Sequence, residues 1–217
     1  MGKKLAEFLS KITKSTEEVR DDILLLRFTK VNACMVGYPH VEDPKWTLVD
    51  TGLENPHDFI LDVVYDRYGM DLPPQAIILT HGHFDQIGSA ISLSRHWDVP
   101  VFIHEKEIPE MPYVTGKNHI FPLAEGGTVP YMSQWRYIDT PGHTQGHISL
   151  FREKDRSLIV GDAFLPGDFK LSKESINKLK TLRPELAITS QGPPLRGQPL
   201  REYLEDLIKN YDEHMSP

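Results

Sequence analysis

The sequence predicts an α/β (α+β) fold in which β-sheets are covered by helices, and three observations predict it. Residues 22–50 hold three apolar bursts separated by turn-forming residues. Residues 75–104 alternate strand, helix and strand. From residue 134 the chain returns to strands and then closes with helix, strand and helix. Runs of strands combined with an alternating segment belong to layered sheet-and-helix architectures. At 217 residues the chain is expected to form a single domain over 1–217, long enough to bury a full core.

At the N-terminus, "MGKKLAEFLSKITKS" places Leu5, Phe8, Leu9 and Ile12 on one helical face. That pattern predicts an amphipathic helix and lead-in over residues 1–20. The bursts "DILLLRF", "VNACMVGY" and "KWTLVD" are broken by "YPHVEDP" and read as antiparallel strands. In "PHDFILDVVYDRYG", Phe59, Ile60, Val63, Val64 and Arg67 recur at helical spacing, with Pro56 fit for the first turn and Gly69 for the stop. "QAIILT" and "PVFIH" then read as strands around a helix in "DQIGSAISLSRHW". Residues 106–131 are rich in Pro and Gly and predict a long loop with little regular structure. "QWRYIDT", "HISLFRE" and "SLIVGD" read as strands, the last two joined by a polar "KDR" turn. "SKESINKLKTL" is a helix, "ELAITS" a strand, and the final helix aligns Leu200, Tyr203, Leu204, Leu207 and Tyr211 on one stripe.

Composition narrows the class. A formal charge of −7 argues against a nucleic-acid partner, which calls for a basic face. No apolar run is long enough to span a bilayer, and the N-terminus lacks the apolar core of a secretory signal. The one cysteine, Cys34, lies within a strand. It allows no intrachain disulfide, fits a reducing cytoplasm and reads as a small buried hydrophobe. Oligomeric state leaves no trace in the sequence.

Five places put polar residues where an apolar strand gives way to a loop. They are Asp50 in "LVDTG", the run His81, His83 and Asp85 in "THGHFDQIG", His143 in "TPGHTQGH", Asp162 in "LIVGDA", and Gln191 in "ITSQGPP". Strand ends are where a rigid sheet aims side chains at a shared point. His81 and His83 are two apart and face the same way on extended backbone. Imidazole with carboxylate suits zinc, and also iron or manganese. His147 begins a strand and reads as structural. His104 reads as a satisfied rim histidine, and His40, His57, His96, His119 and His214 as surface residues.

In that order, the strand-end motifs resemble the metallo-β-lactamase-fold hydrolases, closest to the glyoxalase II and lactonase-like branch, over roughly residues 22–208. The resemblance implies a four-layer αβ/βα sandwich with a metal site at the edge between two sheets. It maps a first metal site onto His81, His83, His143 and Asp162, with Asp162 able to bridge to a second. The second site would draw on Asp85, Gln86, Asp162 and Gln191, but Gln86 and Gln191 stand where the family carries histidine. A neutral amide is a poorer donor than imidazole for a zinc-like ion, so one tightly held zinc is expected, with iron or manganese as substitutes and the second position weak or vacant. Asp50 is expected to orient a ligand rather than bind metal itself.

The implied activity is hydrolysis of a carboxylic ester, thioester or lactone in a small molecule, through a metal-bound hydroxide formed as the ion lowers the pKa of water towards ~7. With one ion, Asp85 is the residue placed to orient or deprotonate the attacking water. The short segment after "VGDA" leaves little chain for a lid, so an open cleft and weak substrate binding are expected. The 106–131 loop, with Met111, Tyr113, His119 and Phe121, is the remaining candidate for a substrate wall. Two other readings carry weight: a disabled or repurposed single-metal scaffold, natural or engineered, and a mononuclear iron dioxygenase.

Overall fold

The computed structural model describes residues 14–52, 57–110, 119–123 and 127–215; the expected helix around Leu5–Ile12, and Pro56, Met111 and Tyr113, lie outside them. Among the described residues, no helix is long and apolar enough to cross a membrane. The chain divides into two compact units. The first is built from Met1–Leu79, His83–Phe102 and Val114–Phe121, and the second from Thr80–Gly82, Ile103–Tyr113 and Pro122–Pro217.

A seven-stranded sheet orders its strands as they follow in the chain: β1 (Ser15–Arg20), β2 (Ile23–Arg27), β3 (Asn32–Val36), β4 (Thr47–Val49), β5 (Ile77–Ile78), β6 (Val101–Ile103) and β7 (Ile120–Pro122). The first four pair antiparallel, whereas β4, β5 and β6 run parallel. All five residues of β3 and all three of β4 are buried. That is why these strands appear as unbroken apolar bursts rather than alternating patterns. β1 is a polar edge strand, "STEEVR", whose charges protect the open edge from further pairing.

Helix α1 (His57–Tyr68) buries Ile60, Val63 and Val64. Gly69 stops it at φ 73°, donating its N–H to the Tyr65 carbonyl at 2.7 Å, the left-handed ending that glycine adopts without penalty. The helix expected in "DQIGSAISLSRHW" is two: α2 (Phe84–Ile87) and α3 (Ala90–Trp97). The physical reason is at the junction. Gly88 gives its N–H to the Gly52 carbonyl at 3.0 Å and Ser89 gives its own to Thr51 Oγ1 at 3.2 Å. Both amides are thereby diverted from a continuous helical ladder to the turn after β4.

The second sheet has five strands: β8 (Trp135–Asp139), β9 (Ile148–Arg152), β10 (Ser157–Gly161), β11 (Leu186–Thr189) and β12 (Leu195–Arg196), in the order β12-β11-β10-β9-β8. β10 and β11 are parallel and the other pairs antiparallel. Helices α4 (Phe169–Thr181) and α5 (Gly197–Met215) join this unit. Ile176, Leu179, Leu200 and Leu204 pack with Phe151, Leu158 and Val160 in one buried cluster, with Leu207 and Tyr211 against it. Tyr203 departs from the expected stripe: it is exposed and sets its ring 5.8 Å from Phe164.

The 106–131 stretch is more ordered than its Pro and Gly content predicts, as far as it is described. A 3-10 helix covers Glu105–Glu110, and β7 follows within it.

Candidate metal centre

His81, His83, His143 and Asp162 each offer one ligand atom, and these atoms all lie within 4.8 Å of one another. The residues come from three stretches of chain, which is what their positions at separate strand ends predicts. His81 is fully buried and Asp162 nearly so, while His83 is exposed and His143 half-buried. The group therefore has a sealed side and an open side.

The histidine Nε2 atoms face the carboxylate: His143 Nε2 is 3.2 Å and His81 Nε2 is 3.5 Å from Asp162 Oδ2. His143 Nδ1 lies 3.1 Å from the Pro166 carbonyl. A carbonyl only accepts, so Nδ1 carries the proton and, in the neutral ring, Nε2 presents a lone pair. A lone pair and a carboxylate oxygen facing each other at 3.2 Å require a cation or an added proton between them. Asp162 Oδ1 is also buried without a hydrogen-bond partner. Three imidazoles, one carboxylate and this facing arrangement fit a zinc-like ion.

Backbone contacts set these side chains in place. The Thr80 carbonyl accepts from Ile148 N–H at 2.9 Å, fixing His81 beside β9. The loop carrying His143 is held by α4: Asp168 N–H donates to the Gly142 carbonyl at 2.8 Å, and Ser175 Oγ donates to the Pro141 carbonyl at 2.7 Å. Gly142 has to be glycine there, because a Cβ would sit 2.3 Å from Ser172 Oγ.

His147 has the structural role that its place at a strand start suggested. Asp162 N–H donates to its Nε2 at 2.9 Å, so in the neutral ring the proton sits on Nδ1 and points to Thr140 Oγ1 at 2.8 Å. Ser149 Oγ donates to the Val160 carbonyl at 2.8 Å and stands 3.1 Å from the Thr140 hydroxyl. The chain of donors is thus directional, running from Asp162 N–H through His147, Thr140 and Ser149 to Val160. It anchors the backbone of Asp162. Gly161 comes immediately before, at φ 61°, where a Cβ would lie 2.7 Å from His147 Nε2.

Other expected site residues fall elsewhere. Asp50 and Asp85 are not part of the four-residue group. Asp50 is buried at the end of β4 with φ 58°, and the next residue ties the turn to α2: Thr51 N and Oγ1 both donate to the Gln86 carbonyl, at 2.8 and 2.9 Å. Asp85 is half-buried on α2. Gln86 is fully buried, and neither its Oε1 nor its Nε2 makes a hydrogen bond. Gln191 is exposed beyond β11. His104 is mostly covered, with Nδ1 accepting from Lys106 N–H at 3.2 Å. His96 is exposed, as a surface residue should be, and His57 is half-buried; their rings pack edge to face at 5.6 Å, and His96 Nε2 lies 2.8 Å from Asp71.

Cys34 is buried, and burial first, then the Asp50 charge, pushes its thiol well above the ordinary range. A thiol held neutral in this way is no nucleophile.

Comparison with known proteins agrees with this geometry. Residues 28–209 match the family model of the metallo-beta-lactamase superfamily. The chain is 34% identical to a probable metallo-hydrolase, YflN, of Bacillus subtilis (strain 168), with 76% of this chain and 82% of that protein covered. It is 32% identical to a hydroxyacylglutathione hydrolase of Bdellovibrio bacteriovorus, over 52% of this chain and 47% of that protein. Among solved structures, a beta-lactamase domain protein from Burkholderia ambifaria superposes with a TM-score of 0.75 at 24% identity, covering 92% of this chain and 76% of that one. Two sheets with their helices, the motifs at the strand ends and these matches together place the chain in the metallo-beta-lactamase superfamily.

Proposed function

We propose that the chain is a metal-dependent hydrolase of carboxylic ester, thioester or lactone bonds in small molecules, working with one dominant zinc ion. The observation that carries this is the convergence of His81, His83, His143 and Asp162, with the Nε2 atoms of His81 and His143 turned towards the buried Asp162 carboxylate. An ion held there supplies a Lewis acid that polarises a carbonyl and lowers the pKa of water. The protein's part is to bind and orient it. His81 and Asp162 grip from the buried side, His83 and His143 from the open side, and the Pro166 carbonyl keeps His143 in the tautomer that ligates.

Asp85, two residues beyond His83 and half-buried, accepts the proton of the attacking water in this reading. Gln86 and Gln191 provide amides where imidazoles would hold a second ion, which favours a single occupied position. The likeness to a hydroxyacylglutathione hydrolase makes thioesters the first substrates to try. A reduced Cys34 agrees with a cytoplasmic setting.

Metal analysis of the purified protein should return about one equivalent of zinc. One equivalent of iron with thiol-dependent oxygen uptake would support the dioxygenase reading instead. A panel of thioesters, activated esters and lactones should show turnover, and its absence with zinc bound would support a non-catalytic scaffold. Asp85→Asn should lower kcat ~10²-fold at unchanged zinc content; full turnover in that variant would remove Asp85 from the mechanism. Restoring Gln86→His and Gln191→His together should raise the content to about two.

A further inference from the structure

We propose that Glu107 is a positioning residue that clamps the two histidine loops of the metal centre at ligand spacing before any ion arrives. The inference rests on the reading that the four-residue group binds metal. Glu107 lies in the 3-10 helix and is only 3% exposed. Its Oε2 accepts the Gly82 N–H at 2.8 Å and its Oε1 accepts the Gly146 N–H at 2.6 Å. Gly82 sits between His81 and His83, and Gly146 sits between His143 and His147. One rigid carboxylate thus ties the backbone of one ligand loop to that of the other.

The chemistry of the contact is selective. Burying a carboxylate is costly unless it is well hydrogen-bonded, and two short charge-assisted bonds from amides offset that cost. Glycine at both positions gives room for so close an approach, most strictly at Gly146. A Cβ on Gly146 would lie 2.8 Å from Oε1 and 2.9 Å from His104 Nδ1, and one on Gly82 would lie 3.2 Å from Oε2. Glu107 is not one of the four grouped residues, and it acts through the backbone: it fixes where the loops stand and adds a buried negative charge beside them. Both effects favour a dication, and loss of such an outer partner typically weakens metal binding ~10–100-fold.

The conservative variants separate these effects. In Glu107→Gln the amide oxygen still accepts from one glycine, but its NH2 faces the other glycine's N–H, donor against donor. In Glu107→Asp the charge stays, but the shorter side chain cannot span both loops. The experiment is competition for zinc against a chromogenic chelator, run on wild type, E107Q and E107D, each checked for folding by circular dichroism in its metal-free form. Expected is ~10–100-fold weaker zinc binding in both variants, with an altered visible spectrum when cobalt replaces zinc. A residue that merely supported the fold would lower the metal-free melting temperature and leave both readouts alone.

Folded variants that bind zinc within about twofold of wild type would overturn the clamp while leaving the metal centre standing. Wild type that binds no zinc would overturn both. Should neither variant fold, amide hydrogen exchange on wild type decides. Protection of Gly82 and Gly146 N–H without metal supports a preformed clamp, and protection that appears only with zinc refutes it.

Discussion

Replacing Thr140 with valine tests the directional hydrogen-bond chain under Asp162. Thr140, His147 and Ser149 are 1%, 1% and 0% exposed, so no solvent replaces a lost partner. Thr140→Val keeps the shape and deletes the hydroxyl. Ser149 Oγ still donates to the Val160 carbonyl and remains satisfied. The His147 Nδ1–H loses its 2.8 Å acceptor, and an orphaned buried donor costs ~1–3 kcal/mol. We expect about 2 kcal/mol of destabilisation, near the middle of that range. With a urea m-value of about 2 kcal/mol/M, that is a midpoint shift of about 1 M at constant m in the metal-free protein. Thr140→Ser keeps the hydroxyl and should lose no more than ~0.8 kcal/mol for the methyl group. A valine variant within ~0.5 kcal/mol of wild type, inside the scatter of ordinary surface substitutions, would refute the chain and the tautomer assigned to His147.

Three further outcomes follow from the same geometry. Gly161→Ala should cost about 2–4 kcal/mol in chemical denaturation, combining strain at positive φ with overpacking against His147; a neutral result would mean the turn relaxes freely. Cys34 should resist a water-soluble thiol reagent at pH 8 while the protein is folded and react at once in denaturant, whereas rapid labelling of the native state would contradict its burial. The Trp97 indole, and then His96, hydrogen-bond Asp71 and hold its carboxyl below the usual carboxylate value. A depressed folded pKa contributes stability that is fully present above the unfolded value of ~3.9 and is lost as pH falls through the lower folded value. The wild type should therefore exceed Asp71→Asn in stability near neutrality and converge with it in acid, and parallel stability curves would discount the contact.

How much was legible depended on whether a feature is local. Buried strands such as "VNACMVGY" announce themselves by unbroken apolar runs, and α1 by its spacing and Gly69 stop. Strand-end histidines marked the stretches that converge in the metal centre. What stayed hidden was set by partners distant in sequence. The break between α2 and α3 arises because Thr51 and Gly52 capture two amides, which no helical pattern records. β12 is two residues long, stabilised by pairing with β11. Glu107 lies in a charged, Pro-containing segment that reads as solvated loop, and only the approach of Gly82 and Gly146 reveals its burial. A paired reading of those two glycines, Gly82 between two ligand histidines and Gly146 three residues past His143, was the available hint.

The backbone at Asp50 constrains how that residue can be interrogated. A left-handed conformation at a non-glycine position costs roughly 1–2 kcal/mol, and aspartate and asparagine tolerate it better than most. An alanine scan there would mix two losses, the carboxylate and the ease of making the bend, and a branched side chain would fare worse still. Asparagine isolates the charge, and the difference between alanine and glycine isolates the bend. Any sequence preference at position 50 therefore reflects a selection on chain direction as well as on chemistry.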